Sequence, residues 1–323
     1  MVTKMTDKLA WQDVCIVGYG GHAKEKLVPA LKRVGLKVST VVSRNASAEY
    51  DFLTVYSTIN EAVEALNKNT LFVISSPPDI HYSQVKKALN SGFNVFVEKP
   101  GFLLRNNAEE LSLIANNKKL ILLEMFMFYE NHYVKKLKKK LEENRKIVKS
   151  ISFDFRIPAV PLNSYRTKND LPRALLADMV CYPLSFLIRS GFDANRLCLS
   201  RVEGSQLERP QFRLEGESYS ASINIIVGLS EEYNNTCTVE FHNGSWYAVE
   251  PFFYGRAGQR SWTTFDGENT FEKSLNESSA FEMMFTREPQ SLLLNQNERL
   301  RETIEIATLL EQFDKELLQI QKR

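Results

Sequence analysis

Residues that bind metals or form covalent staples are few in this chain of 323 residues, which has four cysteines and four histidines. Cys15, Cys181, Cys198 and Cys237 lie far apart and form no C-x-x-C pair, which excludes a zinc ribbon and a disulfide framework. Reduced, mostly buried thiols are expected. The scattered histidines give no metal cluster. Excess charge is also lacking. Lys and Arg number 41 against 39 acidic residues, a net charge of +2, so no broad field draws nucleic acid or an anionic membrane. The one dense basic run, "KKLKKKLEENRK", has the leucine spacing and adjacent glutamates of a solvated helix face. No apolar run approaches the ~20 residues that span a bilayer. The opening "MVTKMTDKLAWQD" is too polar for a signal peptide. A cytoplasmic protein with neither a nucleic-acid nor a membrane partner is expected. Glycine is scarce too, at 14, yet three glycines fall at positions 18, 20 and 21.

The length suits two domains. In the first third, apolar runs ("VCIVG", "KVSTVVS", "LFVISS", "NVFVEKP", "LILLE") alternate with helix-like segments ("HAKEKLVPALKRVG", "TINEAVEALNK", "HYSQVKKALNSG", "NAEELSLIANNKK"). Unbroken Val/Ile/Leu/Phe runs suit strands buried on both faces, and alternation with helices predicts a doubly wound parallel sheet of Rossmann type. The rhythm changes after Glu124. A helix from Asn131 to Glu143, a strand at "IVKSISFDFRI" and a helix through "RALLADMVCYPLSFLIRSG" are predicted. From Leu197 to about Phe271 the pattern is mainly strands with turns at "HNG", "FDGEN" and "YGRAGQ", an antiparallel sheet with one open face. The end, from Asn297 onward, reads as a long amphipathic helix. The expected class is therefore α/β: a Rossmann domain over residues 1–124, then an α+β substrate and oligomerisation domain over 125–323 with a large, mainly antiparallel open-faced sheet.

The first strand-to-helix turn is Gly18-Tyr19-Gly20-Gly21-His22-Ala23. Gly18 permits a tight turn, Gly20 lets backbone approach a pyrophosphate, and small Ala23 lets helix pack on strand. Free N–H groups at the helix start attract phosphate. The second strand ends "VVSRNAS" with no acidic residue for a ribose hydroxyl, so Ser43 and Arg44 are candidates for a 2′-phosphate. NADP(H) is thus favoured over NAD(H). At "VISSPPDIH", Ser75, Ser76 and Pro77 are candidates for contact with the nicotinamide half, and His81 is either a further cofactor residue or only a helix-start residue. "NVFVEKP" brings Glu98 and Lys99 to the ligand edge of the sheet, where Pro100 stops the strand.

The glycine turn, "SSPPDIH" and "EKP", in this order and spacing, resemble the Gfo/Idh/MocA oxidoreductase family. "LLEMFMFYENHY", "SISFDFRIPAVP", "RALLADMVCYPLSFLIR" and "YNNTCTVEFHNGSWYAVEPFF" look like the corresponding blocks of bacterial NDP-hexose 3-ketoreductases. The resemblance implies that Lys99 is the catalytic lysine and that Asp178 and Tyr182 are the family's D-x-x-x-Y/H pair, Tyr182 carrying the proton. On a helix, positions i and i+4 share a face. Hydride delivery to a ketone makes an alkoxide, which needs the charge that Lys99 offers and a proton that a phenol can give. Tyr129, His132, Arg166 and Tyr182 are candidates for substrate contact. The sequence departs from the ketoreductases at "LPRALLAD", which lacks their glycine cluster, and at Met179-Val180 after Asp178, which alters the expected pocket.

These features point to an NADP(H)-dependent reductase of a sugar ketone, most simply a nucleotide-linked keto-deoxyhexose. A family dehydrogenase of a free sugar, an inositol or a dihydrodiol, and a non-catalytic NADP-sensing regulator, remain open. The resemblance also implies a homodimer or homotetramer formed through the second domain's sheet.

Overall fold

The computed structural model describes residues 11, 13–44, 54–158, 170–203 and 209–322. They fall into two compact units. The first takes in Met1–Phe102, Asn106–Met125 and Phe281–Arg301; the second takes in Leu103–Arg105, Phe126–Ala280 and Glu302–Arg323. The short helices Ala280–Phe285 and Pro289–Leu294, remote in sequence, thus supply residues to the first unit. The N-terminal ten residues, residues 45–53 and Arg166 lie outside the described residues.

The first unit is built on six strands: β1 Asp13–Val17, β2 Lys37–Val42, β3 Thr54–Tyr56, β4 Leu71–Ile74, β5 Val95–Glu98 and β6 Leu122–Met125. Their order is β3-β2-β1-β4-β5-β6, and every pairing is parallel. All four residues of β4 are buried, as a strand covered on both faces requires. The chain direction of winding reverses between β1 and β4, the place where such sheets open a crevice at the strand C-termini. β3 is the one strand absent from the apolar runs, because three residues of "TVY" carry no period. Phe96 of β5 anchors the core between Trp11, with ring centroids 5.4 Å apart, and stacked Phe285 at 6.1 Å. The helix after β1 begins as a π-turn, Ala23–Leu27, before regular α-helix from Val28 to Arg33. Pro29, with no N–H to give the preceding turn, accounts for the shifted ladder.

The second unit carries an eight-stranded sheet: β7 Val148–Ile157, β8 Cys198–Glu203, β9 Gln211–Ser218, β10 Ala221–Leu229, β11 Asn234–Phe241, β12 Trp246–Glu250, β13 Gly258–Phe265 and β14 Thr270–Glu277. The order is β14-β13-β12-β11-β7-β10-β9-β8. β7 and β10 run parallel and the other pairings are antiparallel, so the sheet is mixed but mainly antiparallel. β11 shows why one face is covered: Asn235, Cys237, Val239 and Phe241 are buried, and the residues between them are not. Against β10 packs the helix Leu171–Arg189. Asp170 caps it, its side chain accepting from the Arg173 N–H, and Pro172 sits in the first turn where no N–H is missed.

Contrary to expectation, Leu171–Arg189 is long and apolar enough to cross a membrane by length and composition, but 72% of its most apolar window is buried inside the protein. It is the core helix of this unit.

Candidate functional site

The crevice edge of the first unit is assembled from the ends of β1, β4 and β5. The Gly18 N–H donates to the Val42 carbonyl at 2.9 Å, and the Ser75 N–H donates to the Val17 carbonyl at 2.7 Å, which locks the glycine turn to its neighbours. Gly18 has φ +91°, and a Cβ there would sit 2.5 Å from the Ser76 nitrogen. Gly18 is therefore demanded by the Ser75–Ser76 backbone as well as by the turn itself. Gly20 differs: it is exposed, and a Cβ would meet nothing within 4 Å. Open space above bare backbone is what a dinucleotide's diphosphate needs. Ala23 is fully buried, as helix-on-strand packing requires.

His22, exposed beside the turn, places Nε2 2.7 Å from Glu98 Oε1 at the end of β5 and its ring edge-on to Phe281. Burial alone would raise the Glu98 pKa. The charge and hydrogen bond of His22, with the charges of Lys99 and His81, outweigh it and hold Glu98 below the ordinary carboxylate range. Lys99 follows, half-buried, and leads through a cis peptide into buried Pro100. Ser75 is half-buried, Ser76 buried and Pro77 exposed. Ser43 is tied by its N–H to the Tyr56 carbonyl at 3.0 Å, and exposed Arg44 closes the β2 end. His81 is wholly inside the fold, so it reaches a bound dinucleotide only through the backbone it supports.

In the second unit, Asp178 and Tyr182 sit one turn apart on the core helix, Asp178 half-buried and Tyr182 buried. The Tyr182 ring lies among Phe126, Phe128, Phe155 and Phe253, with centroids 5.3–6.2 Å away. Aromatic walls of this kind fix the phenol's direction. Tyr129 is buried, with its hydroxyl 3.1 Å from Ser185 Oγ and the Arg189 guanidinium 3.8 Å above its ring. Burial pushes its phenol well above the ordinary value. His132 is exposed at a helix start; Glu277 accepts from its backbone N–H and lies 3.2 Å from its Nδ1. Lys99 belongs to one unit and the Asp178–Tyr182 pair to the other.

Two buried elements escaped sequence inspection. Glu124 accepts from the Gly101 N–H at 2.7 Å, pinning the chain just past Lys99. Its only signal is a carboxylate closing the apolar run "LILLE". In the second unit, Glu302 joins Ser185 and Arg189, both at 2.5 Å, behind Tyr129. These partners stand over 110 residues apart and leave no local pattern.

Residues 13–126 match the model of the Gfo/Idh/MocA oxidoreductase family, described as an NAD-binding Rossmann fold. Over that stretch the match agrees with the resemblance carried by the glycine turn, "SSPPDIH" and "EKP". Among curated relatives, the dTDP-3,4-didehydro-2,6-dideoxy-alpha-D-glucose 3-reductase of Actinomadura kijaniata is 27% identical over 179 residues, 53% of each chain. An uncharacterised oxidoreductase of Schizosaccharomyces pombe is 38% identical over 84 residues, 26% of this chain and 23% of that protein. The chain thus spans about half the length, or less, of the curated relatives it matches. Among solved structures, KijD10, a 3-ketoreductase from Actinomadura kijaniata crystallised with NADP and TDP-benzene, superposes with a TM-score of 0.78 at 19% identity, covering 93% of this chain and 96% of that one. At this identity the likeness is one of fold.

Proposed function

We propose that this protein is an NADP(H)-dependent oxidoreductase that reduces a ketone on a sugar, most simply a nucleotide-linked keto-deoxyhexose. The observation that carries the proposal is the open backbone at Gly20, on the same crevice edge as Glu98 and Lys99. The dinucleotide would be held by Gly18, Gly20, Gly21 and His22 at its diphosphate, by Ser43 and Arg44 at its 2′-phosphate, and near Ser75–Pro77 and Glu98–Lys99 at its nicotinamide end. When bound, it supplies the hydride. Lys99 offers a positive charge to the oxygen that becomes an alkoxide, and Tyr182 gives that oxygen its proton. Asp178, on the same helix face, orients the proton donor or a substrate hydroxyl. We assign His132 to the rim of the substrate site; Tyr129 acts behind it, because its hydroxyl is engaged inside the unit. A cytoplasmic homo-oligomer assembled through the open sheet face belongs to the same proposal.

The glycosyl part of the substrate rests on likeness alone, since a relative of 27% identity names its own substrate. The test is direct. NADPH and NADH are titrated by fluorescence, and NADPH oxidation is then followed with keto-sugars offered free and nucleotide-linked. Lys99→Ala and Tyr182→Phe should each lose turnover by about 100-fold or more while keeping NADPH affinity within about threefold. Turnover only of ketones without a nucleotide moves the substrate to a free sugar, inositol or dihydrodiol. NADPH binding with no ketone turned over identifies a sensor instead.

A further inference from the structure

Resting on the reductase proposed above, a further positioning residue emerges from the packing beneath the crevice edge. The His81 ring, 0% exposed, is encircled by three main-chain carbonyl oxygens. Nε2 is 2.7 Å from the Ser76 oxygen; Nδ1 is 3.2 Å from the oxygens of both Pro100 and Gly101. These carbonyls belong to the two loops that matter. Ser76 is the residue that Gly18 approaches so closely that no Cβ fits, and its hydroxyl donates to Gln84 Oε1 at 2.5 Å. Pro100 and Gly101 directly follow Lys99, with Glu124 accepting from the Gly101 N–H on the far side.

We infer that His81 is a strut that couples the cofactor seat at Gly18–Ser76 to the position of Lys99. A helix-start histidine would need one partner or none. Here each ring nitrogen faces a different loop, so the spacing between the loops is the width of an imidazole. A neutral imidazole carries one N–H and bonds one loop at a time, whereas an imidazolium bonds both. Of the charged groups on these elements, Glu98 at the end of β5 acts on the ring itself, Lys99 and His22 act on Glu98, and Glu124 lies against Gly101. The coupling matters because a displacement of about 1 Å in a reacting group can cost about 100-fold in rate.

The two arms can be cut separately. His81→Gln puts an amide nitrogen where Nε2 was, keeping the Ser76 arm and losing the one to Pro100–Gly101. His81→Asn puts it where Nδ1 was, with the opposite effect. NADPH affinity is measured by fluorescence titration, and kcat at saturating NADPH with the ketone that the wild type reduces best. His81→Gln should lose about 100-fold in kcat with NADPH affinity within about threefold of wild type. His81→Asn should bind NADPH about tenfold more weakly while losing far less in kcat. Parallel losses of affinity and kcat in both variants, in step with thermal stability, would overturn the inference, as would two variants indistinguishable from wild type or two that do not fold. A wild type that binds no NADPH or reduces no ketone overturns the reductase proposal and takes this inference with it, an outcome visible before any variant is made.

Discussion

Gly18 and Gly20 stand two residues apart in one motif, yet substitution should damage the protein in opposite ways. Gly18→Ala forces a methyl into a backbone at φ +91° and to 2.5 Å from the Ser76 nitrogen and 2.7 Å from the Ser75 carbon. A left-handed conformation costs an alanine about 1–2 kcal/mol. Relieving contact with main chain, which cannot swing away, costs about 1–3 kcal/mol more. The sum, about 2–5 kcal/mol, lowers the midpoint of thermal unfolding by roughly 5–20 °C for a unit of this size. In Gly20→Ala the methyl meets nothing, so stability should stay within about 0.5 kcal/mol of wild type. The same methyl occupies the space through which a diphosphate would approach, and NADPH affinity should fall tenfold or more, about 1.4 kcal/mol. Differential scanning fluorimetry without and with NADPH reads both effects. Gly18→Ala melting within 1 °C of wild type, or Gly20→Ala falling as far as Gly18→Ala, would refute the division of labour.

Two further predictions concern charge. Glu302→Ala removes the carboxylate 2.5 Å from the half-buried Arg189 guanidinium and should destabilise the second unit by about 1–3 kcal/mol in urea titrations. The double variant Arg189→Met with Glu302→Leu should cost clearly less than the sum of the single changes; strict additivity would show that the two groups are not coupled. Acid should weaken the first unit in two windows. Burial lowers the His81 pKa, against the opposing effect of the surrounding carbonyls and Glu98, so the unfolded chain takes up that proton first and stability declines as pH falls below about 6.5. Glu98, also depressed, contributes stability above about pH 4.3 that is lost as pH falls through its lower folded value. Urea midpoints measured from pH 8 to pH 3 should fall in both windows, and His81→Gln should flatten the upper one. A midpoint that rises between pH 7 and 5.5 would contradict the assignment.

Local chemistry was enough to announce the first unit. Apolar runs separated by helical segments specify a parallel sheet because buried strands tolerate no polar face. Gly18, Gly20 and Ala23 mark the first turn because a missing side chain is visible in any sequence. The strand ending in Glu98-Lys99-Pro100 was legible for the same reason, as was the long core helix with Asp178 and Tyr182 one turn apart. β3 passed unseen because three residues are too few to display a period.

What tertiary structure alone decided are relations between distant segments. Segment 281–301 joins the first unit through Phe285 on Phe96, a contact with no trace in either stretch. Tyr129 carries a hydroxyl that sequence reasoning offered to a substrate, but Ser185, Arg189 and Glu302 enclose it. The two glycines two residues apart look equivalent until the fold brings Ser76 against one and leaves the other open. His81 is a lone histidine at a helix start until folding gathers three carbonyl oxygens around it. Bare backbone and apolar segments are legible along the chain before it folds, because those properties belong to single residues and short repeats. Which buried polar groups meet was decided only when chain segments tens to hundreds of residues apart closed on one another, since a buried hydrogen bond is a property of pairs.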